Sequence, residues 1–146
     1  MSKNSEPQVP APNKKLRALD KLVGRWRIAG GAVGRVTYRW MEGGHFLIQD
    51  FDLLQDGHTI RGIEIIGHLR PFGEGPSEDL RSRVYDNQGN TLDYVYEMDG
   101  DTLTIWGGEK GSPAYFKGKF TDADHNEGEW VYPGGGYKST MTRDKE

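Results

Sequence analysis

From Arg25 to Arg143 the chain alternates apolar and polar residues in short runs rich in Val, Ile, Tyr, Phe, Trp and Thr, and the runs recur at roughly 8–12-residue spacing. A period of two marks strands with one dry and one wet face. Val36, Tyr38 and Trp40 stand opposite Arg35, Thr37 and Arg39. Leu92, Tyr94, Tyr96 and Met98 stand opposite Asp93, Val95 and Glu97. Ala114, Phe116 and Phe120 stand opposite Tyr115, Lys117 and Lys119, and Gly128, Trp130 and Tyr132 opposite Glu127, Glu129 and Val131. The runs are broken at Gly30-Gly31, Gly43-Gly44, Asp56-Gly57, Pro71 to Pro76, Asn87 to Asn90, Asp99-Gly100, Gly107 to Pro113, Asp122 to Asn126 and Pro133 to Gly136. The strands predicted between these breaks are Arg25–Ala29, Val33–Met41, Phe46–Leu54, Thr59–His68, Leu80–Asp86, Thr91–Met98, Thr102–Trp106, Ala114–Phe120, Glu127–Tyr132 and Tyr137–Arg143.

One stretch departs from this period. Leu16, Leu19, Leu22 and Val23 share a helical stripe, with Asn13 placed to cap it and Gly24 to end it. The residues before it, Met1 to Pro12, are polar and Pro-containing and read as a disordered leader, leaving 13–146 as one domain. Ten hairpin-linked strands with one short helix bury a dry face by curling on themselves. The expected fold is all-β, a ten-stranded antiparallel up-and-down barrel with one short N-terminal helix. Glycine supports this: 21 of 146 residues is about 14%, without a G-X-Y period, and most fall at the breaks. Gly62, Gly67 and Gly118 fall inside strands, where barrels bend or bulge.

Charge and composition narrow the function classes. A net charge of -3 gives no field for phosphate backbones, so nucleic acid is not an expected partner. The N-terminal residues lack the apolar core of a signal peptide, and no run of about 20 apolar residues follows, so no membrane role is expected. Zero Cys removes disulfides and thiolate chemistry and fits a reducing compartment; the expected location is the cytoplasm. Wet strand faces bearing Arg35, Arg39, Lys117 and Lys119 favour a monomer or a small homo-oligomer.

Gly24-Arg25-Trp26 opens the first strand after the helix, and Thr140-Met141-Thr142-Arg143 closes the last. With Tyr38 to Gly44, Ile63 to Gly67 and Thr104 to Trp106, these residues resemble the lipocalin-like, calycin group, and more closely bacterial lipocalin-like proteins grouped as a domain of unknown function. The resemblance covers roughly Leu16 to Arg143. It implies that Trp26 sits at the closed end of the barrel, that Arg143 covers its indole in a structural role, and that a cavity open at the other end holds a small apolar ligand.

Candidate chemistry is sparse. His45, His58, His68 and His125 form no His-x-His or His-Glu-x-x-His spacing, so no metal is expected. Residues 122–128 lack the Gly and Glu of a calcium loop, residues 30–34 are no dinucleotide fingerprint, and Glu127 to Glu146 offers no proximal His for haem. No cofactor is expected. Glu64 and His68 share a strand face and are the candidate acid and base, but four positions on a strand span roughly 13 Å, too far for a direct dyad. Ile63 and Ile65 leave the inner face of that strand open, and the plainer expectation is that Glu64 meets solvent or a neighbouring Arg. Tyr38, Trp40, Tyr94, Tyr96, Trp106, Trp130, Tyr132 and Tyr137 are the aromatic candidates for a ligand-gripping lining. Arg83 is a candidate clamp for a carboxylate if its face is internal, although Leu80 and Val84 on the other face favour an external Arg pair.

Three readings follow: a binder or carrier of a small hydrophobic or aromatic molecule; a cofactor-independent isomerase or cyclase working inside the barrel; and an interaction module with a filled barrel. The first agrees best with an aromatic lining and no recognisable catalytic spacing.

Overall fold

The computed structural model describes residues 11–145. All but the last two residues of the expected leader lie outside this range. Asn13 accepts a hydrogen bond from the Lys15 amide and caps α1 (Lys14–Arg17), which runs on as a 3-10 helix over Ala18–Leu22. Ten strands follow: β1 (Gly24–Gly30), β2 (Val33–Trp40), β3 (Leu47–Gln55), β4 (His58–His68), β5 (Leu80–Asp86), β6 (Thr91–Asp99), β7 (Thr102–Gly107), β8 (Tyr115–Asp122), β9 (His125–Tyr132) and β10 (Gly135–Arg143).

Each strand pairs antiparallel with its neighbours in sequence, and β1 also pairs with β10, so the sheet closes into an up-and-down barrel without free edges. The register at the seam sets Trp26 beside Arg143 and Ile28 beside Met141. Because the connections alternate between ends, the β1–β2, β3–β4, β5–β6, β7–β8 and β9–β10 turns ring one mouth.

The opposite end is closed by the helical segment. Leu16, Leu19 and Leu22 are fully buried with Trp26, which donates from Nε1 to the Leu22 carbonyl at 2.8 Å. Phe120 packs against the indole at 6.1 Å, and the Arg143 guanidinium lies 4.2 Å from its ring centre. Arg143 also donates to the carbonyls of Val23, Lys21 and Ala123 and to the Asp124 carboxylate. One planar cation thus joins the plug, the last strand and the β8–β9 turn.

Two glycines allow the wall to close tightly. Gly118 and Gly128 face each other across β8 and β9, and a Cβ at Gly128 would meet Phe116 Cζ at 2.5 Å and Gly118 Cα at 2.7 Å. The Phe116 ring lies against this bare patch of backbone. Outside, cross-strand ion pairs line the wet face, including Arg39–Asp50, Arg61–Asp52 and Arg83–Asp93.

Candidate functional site

Between the plug and the mouth the barrel holds a cavity of about 220 Å³ that opens at the mouth. Inward positions of nearly every strand line it, with Phe51, Phe116 and Trp130 among the large apolar side chains. Trp130 packs on Phe116 at 5.4 Å and on Tyr94 at 5.9 Å, forming an aromatic wall from β6, β8 and β9.

The polar part of the lining is concentrated on β2 to β6. Tyr38, Gln49 and Glu64 stand abreast on β2, β3 and β4. Gln49 Nε2 donates to Tyr38 Oη at 2.6 Å. Glu64 is 4% exposed and accepts from Ser82 Oγ at 2.6 Å and from Tyr96 Oη at 2.8 Å, one bond on each carboxyl oxygen. Burial raises the Glu64 pKa above its ordinary value, and the two hydroxyl donors oppose that rise without cancelling it. Burial raises the Tyr38 and Tyr96 hydroxyls as well, with the nearby Glu64 charge as the second cause. The Tyr94 hydroxyl is pushed up to about 12 for the same two reasons. A carboxyl placed among three phenols in an apolar enclosure can hold or exchange a proton and can orient a ligand by hydrogen bonds.

The expectation that Glu64 meets solvent or an Arg is therefore corrected. On β4 the inner face is Ile60, Gly62, Glu64, Ile66 and His68, while Ile63 and Ile65 are outside at 37% and 36% exposure. The partners that draw Glu64 inward, Ser82 and Tyr96, lie on β5 and β6.

His68 shares this face but lies at the plugged end. Its Nδ1 lies 2.6 Å from the Ser77 carbonyl, its Nε2 has no partner among the described residues, and it borders a separate hollow with His45 and Arg70. It does not join Glu64 in the cavity.

Five of the aromatic candidates, Tyr38, Tyr94, Tyr96, Trp130 and Tyr137, line the cavity. Tyr132 stands at the mouth, 43% exposed. Trp40 faces inward beyond the cavity floor and donates to Asp20 at 2.8 Å, holding the plug. Trp106 is on the outer face, because Leu103 and Ile105 take the inner positions of β7, and it donates to Glu97 at 2.6 Å while packing on Tyr115. Arg83 is also outside, where Asp93 accepts from it at 2.7 and 3.1 Å; its neighbours Ser82 and Val84 are the buried ones. Trp40, Trp106 and Arg83 are thus corrected as cavity contacts.

Gln49 and Asp86 line the cavity, and buried Ser82 holds the Glu64 carboxyl behind it; the reading of aromatic and titratable types passed over all three. Ser82 carried a signal, since it falls between Leu80 and Val84 on the apolar face of β5. Gln49 did so as well, between Leu47 and Phe51.

Among the described residues no group of three or more His, Cys, Asp or Glu is placed to hold a metal ion, and no helix is long and apolar enough to cross a membrane. The chain matches no family model, and no curated protein matches it in sequence.

Proposed function

We propose that this protein is a lipocalin-like binder or carrier that holds a small hydrophobic or aromatic molecule inside its barrel. The observation that carries this reading is the largely apolar cavity of about 220 Å³, open at the mouth, with an aromatic wall and a few convergent polar groups. An apolar cavity of about 150 Å³ is known to take benzene, so the size here suits one or two fused rings. The closed ten-stranded barrel and the Trp26–Arg143 stack support placing the chain near the calycins. A cysteine-free chain fits the cytoplasm, and the ion-paired outer face fits a monomer or small homo-oligomer.

The test is saturation-transfer NMR with naphthalene derivatives and indole on the wild-type protein and on Ile60→Trp, which places an indole in the cavity. Saturable binding by the wild type and its loss in the variant are expected. No binding by any probe, or equal binding by a folded Ile60→Trp variant, would favour the filled-barrel reading instead.

A second reading, a cofactor-independent isomerase or cyclase, has its own observation in the buried Glu64–Tyr96–Ser82 cluster. A carboxyl and phenols in a dry site are suited to moving a proton next to a carbonyl. Deuterium incorporation from D2O into bound 2-indanone, above the buffer rate and lost in Glu64→Gln, supports it; exchange at the buffer rate in both proteins leaves the binder alone.

A further inference from the structure

The sign of the charge inside the barrel points to the chemistry of the ligand. Two carboxyl groups line the cavity: Glu64 in its depth and Asp86 toward the mouth. Among the described residues that line it there is no Lys, Arg or His. The cations of the neighbouring strands face outward and are already matched there: Arg39 by Asp50, Arg61 by Asp52 and Arg83 by Asp93. An acid clamp of the kind that Arg83 would have supplied is therefore absent from the lining, and a ligand carboxylate entering the barrel would meet carboxyl groups and no cation.

Glu64 keeps capacity for another bond. A carboxylate offers about four acceptor directions, of which Ser82 and Tyr96 occupy one on each oxygen. Tyr38 accepts from Gln49, which leaves its own proton free to donate. The rest of the lining is aliphatic or aromatic, and its aromatic members include Phe51, Tyr94, Phe116 and Trp130, a residue class whose rings attract cations, the more so when water is excluded.

We infer that the cavity selects a small aromatic amine or basic nitrogen heterocycle bound as a monocation, its charged nitrogen against Glu64 and its rings against the Tyr94–Trp130–Phe116 wall. This rests on the binding reading and narrows it. An ion pair formed there completes a carboxyl that burial otherwise leaves without a cation, and the ring faces stabilise the same charge.

The experiment is calorimetric titration of the full chain with three indoles of matched size: tryptamine, 3-ethylindole and indole-3-acetate. Tryptamine is expected to bind at least tenfold more tightly than 3-ethylindole, with indole-3-acetate weakest. Glu64→Gln is expected to abolish that preference, bringing tryptamine within about twofold of 3-ethylindole, whose measurable binding shows that the variant keeps its cavity. If 3-ethylindole or indole-3-acetate binds wild type as tightly as tryptamine, or if the preference survives in Glu64→Gln, the amine inference is overturned while the binding reading stands. If none of the three enters the wild-type barrel, both fall.

Discussion

The two ends of this barrel obey the same alternation of inward and outward residues but differ in what fills them. At the plugged end Leu16, Leu19, Leu22 and Trp26 are at most 1% exposed, and Arg143 seals the indole from below. Toward the mouth, Ile28, Phe51, Leu53 and Trp130 occupy equivalent inward positions yet are only partly buried around a hollow. Strand pattern decides which residues face the axis. Whether that axis is packed or open depends on a separate segment crossing the end of the barrel, and here the capped helix supplies three leucines at one end.

The largest expected effect comes from breaking the packed end. Trp26→Ala removes a buried indole together with its bond to Leu22 and its contact with Arg143, and a loss of about 3–5 kcal/mol is expected in urea unfolding. Tyr137→Ala, at the open end, is expected to cost far less in the same assay. A comparable loss for both would mean that the mouth is packed as tightly as the floor.

Next in size is Gly128→Val. The new side chain would meet Phe116 and the Gly118 backbone, and backbone cannot yield as a side-chain tip can. A loss of about 2 kcal/mol is expected, in line with overpacking of a filled core. An unchanged melting temperature would show that the wall between β8 and β9 is looser than its geometry implies.

Glu64→Gln should sharpen the contrast in the other direction, with a small gain. Because burial raises the Glu64 pKa, the native state holds that proton more tightly than the unfolded chain, whose value is near 4.5. The stability this group contributes is full below the unfolded pKa and is lost as pH rises through the native one. The variant escapes that loss, so its advantage in Tm should be absent near pH 4 and reach a few degrees near pH 7. A variant less stable than wild type at neutral pH would contradict this sign.

The smallest effect is expected at the outer face. Arg83→Ala removes one exposed ion pair with Asp93, and replicate thermal melts should not separate it from wild type. Ligand binding should also be unchanged, whereas a loss would return Arg83 to the site.

Much of the fold was legible because its determinants are local. Turn residues bound each strand, and the observed boundaries lie within two residues of the expected ones. The site was less legible because its determinants are not local. Glu64 follows Ile63 and precedes Ile65, so its own strand carries no sign of which face is inner; the answer lies in Ser82 and Tyr96, 18 and 32 residues away. Residue type misled for Trp106 and Trp40. Tryptophan pays for its burial by packing anywhere that gives its N–H a partner, and Glu97 and Asp20 supply one outside the cavity. For Arg83 the parity of β5 pointed outward correctly, through Leu80 and Val84.

The seam between β1 and β10 bears on how this protein acquires its shape in time. Every other strand pair joins neighbours in sequence, so the meander can grow hairpin by hairpin, but the ring shuts when residues near 26 find residues near 143. Until then β1 presents an unpaired edge to other chains. Contacts of such long sequence separation form slowly. The stacking of Arg143 on Trp26, with its bonds to the carbonyls of Lys21 and Val23, stabilises the closed ring in which that edge is paired.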